Sequence, residues 1–219
     1  MKLNSAQINT IDAILEKLGV VYIDYKFEIL DHIASEVEEL MEETGENFEK
    51  SLEIILIRWQ PKLRKSSSTW FGYLWEMPEI LMQKAKKYHQ QKMLLLLVPS
   101  FLLAFVMYYL VDFTPHFFNG LWYLLVVVLC LQFMGYIQIR RSKQKTTFGF
   151  LYKQQFLAFF FLYIQNIFSL HSYERIFENS NWAISIVFLM ISILLFAPLV
   201  SYKFYQEHFK QLNRNQKFI

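Results

Sequence analysis

One stretch of the N-terminal region brings carboxylate, imidazole and hydroxyl side chains onto a single helical face. Helical spacing places five of them within roughly 100 degrees, opposite the apolar stripe of the same helix. A sixth residue, Glu36, lies one turn beyond His32. The complete set is Glu28, Asp31, His32, Ser35, Glu36 and Glu39. Side chains of these types can contact a protein partner or hold a metal ion.

Three interpretations of this face are open. In the first, it is a solvated surface on which a carboxylate steadies His32. In the second, it contacts another helix or another protein, which makes the six residues the candidate partner-contact site. In the third, Glu28 and His32, spaced i and i+4, share a metal ion, although no second histidine lies nearby in the sequence.

The sequence indicates no enzymatic chemistry. The metalloprotease pattern HExxH is absent. The long apolar segments contain no Ser/His combination, aspartate pair or histidine-rich motif. The single cysteine, Cys130, allows no disulfide within the chain. We therefore predict a protein with no catalytic residues and no cofactor, and we assign no metal site beyond the alternative left open for Glu28 and His32.

The composition divides the chain into an acidic part and a basic, apolar part. Of the 219 residues, 54% are hydrophobic and 18% are aromatic, more than soluble domains usually carry. Residues 1–79 contain eight Lys/Arg and fifteen Asp/Glu, whereas residues 80–219 contain fourteen and four. This division predicts two parts in two solvents, water and lipid. Because the basic residues stand at the ends of apolar segments, they indicate membrane topology and no nucleic-acid partner.

Four segments are apolar enough to cross a bilayer as helices, for which about 20 residues are needed. They are residues 93–111, 121–139, 156–170 and 182–202, and together they form a predicted transmembrane bundle over 93–203. The third segment is shorter and more polar than the others. Three amide side chains lie inside the spans: Gln132, Gln165 and Asn166. They either form hydrogen bonds between helices or, in the case of Gln165 and Asn166, line a polar cavity.

The charges of the connecting loops predict the orientation. Thirteen Lys and Arg residues lie before the first span, between the second and third, and after the fourth, and the opposite side carries only Arg175. Positive residues concentrate on the cytoplasmic side of membrane proteins. We therefore predict a multi-pass protein of the bacterial inner membrane with both termini cytoplasmic, ending in a basic tail at residues 204–219.

Residues 1–65 are predicted to form an acidic cytoplasmic domain of three helices. Asn4 or Ser5 caps the first helix, Gly45 ends the second and Asn47 caps the third. A core of this size is marginal alone, so the domain is expected to lean on the membrane, a partner or the rest of the chain. The predicted fold class is all-α: a polytopic membrane protein with four transmembrane helices and an N-terminal cytoplasmic three-helix domain.

An aromatic segment joins this domain to the first span. Residues 66–92 carry a ring cluster followed by a lysine-rich stretch, a pattern typical of a segment lying at the lipid headgroups. The rings are Trp70, Phe71, Tyr73 and Trp75. Packing of these rings against the N-terminal domain is the alternative. A linker helix is predicted to start just after Pro78 and to run into the first span.

The second predicted helix also carries a family likeness. Residues 27–39 (FEILDHIASEVEE) and 47–52 (NFEKSL) are similar to short cytoplasmic helical heads in membrane proteins of flavobacteria and other Bacteroidetes. More loosely, they resemble the helical signalling domains that accompany PadR-type transcription regulators. The likeness rests on the pattern Glu-x-x-Asp-His-x-x-Ser-Glu. It implies a head that receives or passes a signal through protein contacts, and it transfers no catalytic residue.

Together these patterns favour a non-enzymatic inner-membrane protein. Its cytoplasmic domain is expected to bind a protein partner, with the bundle as anchor, so that the protein works as a sensor, regulatory or assembly subunit in the lipid bilayer. A small transporter or channel subunit is the alternative, since copies of the chain could build a polar pore from glutamine and asparagine side chains. Association into a homo-oligomer stays open in both cases.

Overall fold

The computed structural model describes residues 2–110, 115–169 and 181–215, and it divides into two compact units. The first, the head unit, contains the chain up to Lys87, the segment Lys143–Thr147 and the chain from Lys210. The second, the bundle unit, contains Tyr88–Ser142 and Phe148–Phe209. The described residues form seven helices and one small sheet, so the predicted helical class is confirmed.

The head unit begins with three amphipathic helices, α1 (Ser5–Lys17), α2 (Ile23–Thr44) and α3 (Phe48–Leu63). Each buries one apolar stripe against its neighbours. The side chains with no exposed surface in this core belong to Ile11, Leu15, Ile33, Val37 and Ile55. The head unit extends well beyond these three helices, because a hairpin, the start of the next helix and the segment before residue 147 pack with them.

Local sequence signals set the ends of these helices. The Asn4 side chain accepts a hydrogen bond from the Gln7 N–H, and the Gln7 side chain accepts one from the Asn4 N–H. Gly45 ends α2 at φ 70°, a left-handed conformation that glycine adopts without strain. Asn47 accepts from the Lys50 N–H at the start of α3. The predicted caps are therefore found at Asn4, Gly45 and Asn47.

A β-hairpin follows α3, with antiparallel strands β1 (Lys65–Ser68) and β2 (Gly72–Pro78). The sequence analysis predicted no strand here. Helix α3 ends where Arg64 takes an extended conformation, and Gly72 at φ 86° then allows the tight reversal between the strands. The Glu79 N–H donates to the Arg64 carbonyl, so the hairpin holds the end of α3 beside the start of the next helix.

The rings predicted to lie at the lipid headgroups differ in their exposure to solvent. Phe71 is buried, with 7% of its surface exposed, whereas Trp70 and Trp75 are 46% and 38% exposed. The Tyr73 side chain lies outside what the structure describes. Burial of Phe71 agrees with packing against the head unit, whereas the exposure of the two tryptophans agrees with the predicted position at a lipid surface.

Four long helices follow: α4 (Glu79–Leu110), α5 (Pro115–Arg141), α6 (Thr147–Ser169) and α7 (Asn181–Asn215). Helix α4 starts directly after Pro78 and continues without a break, as predicted. The predicted span ends at residues 111 and 170, and the end of the tail at residues 216–219, lie outside the described residues.

Among the described residues, three of these helices are long and apolar enough to cross a membrane: Glu79–Tyr109, Phe117–Arg141 and Ile184–Arg214. The apolar windows of the first two are only 22% buried in the protein, against 50% for the third. Exposed apolar side chains on α4 and α5 are the expected surface for contact with lipid. The most apolar window of α6 has a lower mean hydropathy than the windows of these three helices, because Lys153 and several amide side chains interrupt its apolar residues.

Candidate protein-interaction site

The six candidate contact residues of α2 do not all remain available to a partner. Asp31, His32, Ser35 and Glu39 are exposed, as predicted for a contact face. Glu28 is also exposed, but its carboxylate binds the Lys84 ammonium at 2.9 Å. Glu36 is half-buried and accepts a hydrogen bond of 3.0 Å from the Trp59 indole N–H. The two carboxylates therefore link α2 to α4 and α3.

The geometry around Glu28 bears on the metal hypothesis. The Lys84 ammonium sits at this carboxylate and also lies over the Tyr25 ring, 4.4 Å from its centroid. A cation in that position competes with a metal ion for the same oxygen. In the ranges that the structure describes, no three His, Cys, Asp or Glu side chains are grouped so that they could hold a metal ion.

Two sets of contacts define how the three head helices run. Along α1 and α2, the Leu3 N–H donates to Glu38, and the Lys26 ammonium binds Asp12 at 2.8 Å. Residue numbers that rise on one helix as they fall on the other mark an antiparallel pair. Helices α2 and α3 are joined by a short turn, and the Trp59 indole binds Glu36 across them, far from that turn on both helices. The two helices are therefore antiparallel as well. Helices α1 and α3 therefore run in the same direction, both packed on α2.

An open apolar groove of about 1270 Å³ lies between α1 and α3. The sequence analysis did not identify this groove, because its width depends on the distance between α1 and α3, which both pack against α2. Ile57 and Leu18 on its rim are 63% and 38% exposed. Ile57 lies off the buried stripe of α3, and this misplaced apolar residue is the sequence signal that could have indicated the groove. Its apolar lining is Ile14, Leu18, Phe48, Leu52, Leu56, Ile57, Pro61 and Leu63.

The charged residues that line the groove are separated by sign. Lys17, Arg64 and Lys65 lie at the end formed by the C-termini of α1 and α3. Glu49 and Glu53 lie in the first two turns of α3, at the other end. Within the described part of the chain, none of the five takes part in an ion pair. The groove is therefore apolar along its length, positive at one end and negative at the other.

A second constellation connects α2 to the start of α6, entirely within the head unit. The Asp24 carboxylate accepts two hydrogen bonds of 3.0 Å from the N–H of Thr147, the first residue of α6. The Ile23 N–H donates to the Lys145 carbonyl at 3.0 Å, and Tyr22 forms a parallel β-bridge with Lys145. Asp24 thus caps a helix that begins 123 positions later in the chain.

Burial changes the acid–base properties of this constellation. It raises the pKa of Asp24 above its usual range, and the hydrogen bond from Thr147 and the charge of Lys84 offset only part of the effect. Burial likewise raises the pKa of Tyr22 to about 12, with a further contribution from the neighbouring Asp24. The carboxylate is therefore held in place by backbone hydrogen bonds at some electrostatic cost.

The three amide side chains that were predicted to lie inside the spans have different surroundings within the bundle unit. Gln132 is buried and its Nε2 donates to the Tyr163 hydroxyl at 3.0 Å. Asn166 is buried and its Nδ2 donates to the carbonyl of Leu162, one turn earlier in its own helix. Gln165 is exposed. Because Gln165 and Asn166 face different sides of α6, they do not line one shared cavity.

The buried amide of Gln132 belongs to a hydrogen-bond network among α5, α6 and α7. The sequence analysis gave hydrogen bonds between helices as one interpretation of Gln132, but it did not identify Tyr152 and Tyr163 as members of the network. The Tyr152 hydroxyl donates to the Gln132 carbonyl at 2.8 Å, and the Tyr163 hydroxyl donates to the Leu194 carbonyl. The Gln155 Nε2 donates to the Ala197 carbonyl at 3.0 Å. Such bonds join apolar helices where water is excluded.

Comparison of the chain with protein-family models, with curated proteins and with solved structures found no match.

Proposed function

We propose that this is a non-enzymatic membrane protein whose head unit binds a protein partner in the cytoplasm, so that it works as a sensor, regulatory or assembly subunit. The observation that carries the proposal is the apolar groove between α1 and α3. The head unit already has a buried core of its own, yet Ile57 and Leu18 stay open to solvent beside it. Exposed apolar grooves rimmed by charge are typical of protein-interaction sites.

The Asp24 constellation supplies a route from the head unit to the membrane helices. A partner that moves α2 would pull on Asp24 and thereby on the Thr147 N–H at the start of α6. Release of this hydrogen bond would give the contact a second state, and a signalling element needs two such states. The likeness of residues 27–39 to signalling heads agrees with this role, and the exposed residues Asp31 and His32 stay candidate contacts.

Photocrosslinking in the full-length protein tests partner binding. A photoreactive phenylalanine analogue in place of Ile57 should give a discrete adduct with another protein in native membranes, because this position lines the groove. The matched position is Asp31, exposed on α2 away from the groove. An adduct from position 31 alone would move the site to α2 and keep the function. Adducts with lipid only, from both positions, would contradict the proposal.

We further infer that α6 is a fourth span and that both termini face the cytoplasm of a bacterial inner membrane. Residues 210–215, at the end of α7, belong to the head unit together with the N-terminal helices, and this supports the same side of the membrane for both. If both ends of the chain lie on the same side of the membrane, the chain must cross it an even number of times, which requires a fourth span besides the three candidate helices. The side chains of Gln155 and Tyr163 bind backbone carbonyls of α7, a candidate span, and this supports α6 as its neighbour in the membrane.

Single cysteines at Asp31 and Lys210, in a chain with Cys130 replaced by serine, test this topology. Both should resist an impermeant maleimide in intact cells and react after permeabilisation. With three spans instead of four, residue 210 would lie on the opposite side from residue 31. Labelling of position 210 alone in intact cells would therefore show that α6 does not cross the membrane. Labelling of position 31 in intact cells would show that the orientation is the reverse of the one proposed.

A further inference from the structure

The separation of charge along the head-unit groove determines which ligand fits it and in which direction. Resting on the proposed function, we propose that the groove binds an amphipathic helix of a partner protein, antiparallel to α1 and α3, with acidic residues in its first turn and basic residues in its last. The ligand helix would complete a bundle of four helices around the apolar lining.

The apolar lining sets the secondary structure of the ligand. It follows both helices over most of the length of α3, whose 16 residues span about 24 Å. Its members on α3, such as Leu52, Leu56 and Leu63, recur at four or seven residues. A row of this kind accepts the apolar stripe of another helix, as in helix-in-groove recognition.

The charges set the direction. At the C-terminal ends of α1 and α3, the side chains of Lys17, Arg64 and Lys65 carry three full positive charges. The two helix ends contribute only about half a negative charge each. The positive charge therefore dominates, and a carboxylate of the ligand is attracted there. Other charged groups near this end are already engaged: Glu16 binds Lys26, and Lys62 lies over the Trp59 ring.

The opposite end gives the same direction independently. Glu49 and Glu53 attract basic residues to the first turns of α3. Helices commonly carry acidic residues in their first turn and basic residues in their last. A ligand helix of that ordinary charge pattern meets both ends of the groove correctly only when it runs antiparallel to α1 and α3.

A pair of designed peptides tests the proposal on the full-length protein in lipid nanodiscs. Both have about 18 residues, a helix of roughly 27 Å, with one leucine stripe and otherwise alanine and glutamine. The first carries glutamates in its first turn and lysines in its last, and the second has these charges exchanged. Fluorescence anisotropy should show the first peptide binding at least about tenfold more tightly, since several ion pairs form or are lost together.

Variants of the protein identify the site. Ile57→Asp should weaken binding of the first peptide by at least about tenfold, because it places a charge in the apolar lining. Phe27→Asp is the matched control: Phe27 is 49% exposed on α2, outside the groove, and its replacement should leave binding unchanged. The combined exchange Lys17→Glu, Arg64→Glu and Lys65→Glu should reverse the preference between the peptides. All these side chains are exposed, so folding is expected to persist and is checked by circular dichroism.

Equal binding of both peptides, no binding of either, or equal effects of Ile57→Asp and Phe27→Asp would overturn the proposal. Crosslinking of position 57 to a second copy of this chain would do the same, since the occupant would then be the protein itself. A protein adduct from position 57 in native membranes, combined with failure of both peptides, would leave partner binding standing and reject only this ligand.

Discussion

Asp24→Ala is expected to release the start of α6 from α2. The carboxylate is the acceptor for the N–H of Thr147, a residue with only 4% of its surface exposed, and alanine leaves that N–H without this acceptor. Loss of a helix cap costs about 0.5–2 kcal/mol. The buried N–H left without its acceptor adds to this loss, and removal of the half-buried charge offsets part of it, so we expect about 1–2 kcal/mol in total.

Hydrogen–deuterium exchange measures this effect directly in the full-length protein. The amides of residues 143–149 should exchange roughly five- to thirtyfold faster in Asp24→Ala, since about 1.4 kcal/mol corresponds to a factor of ten. Asp24→Asn keeps one acceptor oxygen and should change exchange less. Glu28→Ala is the control on the same helix, because it breaks an exposed ion pair with Lys84, worth only about 0.2–1 kcal/mol. Equal exchange in Asp24→Ala and wild type would show that the contact does not hold α6.

The same contact should depend on pH in a defined direction. Burial raises the pKa of Asp24 above its usual 3.8, so the folded state binds this proton more tightly than the unfolded state does. The part of the stability that is linked to this proton is therefore complete below pH 3.8 and is lost as the pH rises through the folded-state pKa, whereas the hydrogen bond to the Thr147 N–H persists. After correction for intrinsic exchange rates, protection of residues 143–149 should fall over that range in wild type. The Asp24→Asn protein should lack this component.

Gly135→Ala is expected to destabilise the packing of α5 against α6. A Cβ at this position would overlap the Tyr152 hydroxyl and lie 3.0 Å from its Cζ. The hydroxyl has little freedom to move, because it donates to the Gln132 carbonyl and Tyr152 is only 3% exposed. Overpacking of this kind costs about 1–3 kcal/mol. Thermal unfolding in detergent or nanodiscs should show the loss.

Two further variants separate overpacking from a general effect of alanine in a membrane helix. Gly120→Ala lies on the same helix with open space around its Cβ, so it should be neutral or slightly stabilising. Tyr152→Phe removes the overlapping hydroxyl, and combined with Gly135→Ala it should recover part of the stability. The double-mutant cycle should give a coupling of about 1 kcal/mol or more. Equal behaviour of Gly135→Ala and Gly120→Ala would contradict the predicted close contact.

The polar face of α2 contains residues of two kinds: some stay exposed to solvent, and others bind neighbouring helices. By spacing alone, Glu28 and Glu36 belong with Asp31 and His32 on one polar face. In the structure, Glu28 and Glu36 bind Lys84 and Trp59, 56 and 23 positions away along the chain. Helical periodicity identifies which side chains share a face, but it does not identify which of them a distant element will use.

The sequence by itself determined the features that depend on local chemistry. Apolar runs long enough to cross a bilayer predicted the long helices, because such runs cannot stay in water, and the caps at Asn4, Gly45 and Asn47 act on the nearest backbone groups. Only the tertiary structure decided the features made by residues far apart. The Asp24–Thr147 cap and the groove between α1 and α3 both depend on how separate helices settle against one another. That settling follows from side-chain packing across long sequence separations, and no local pattern encodes it.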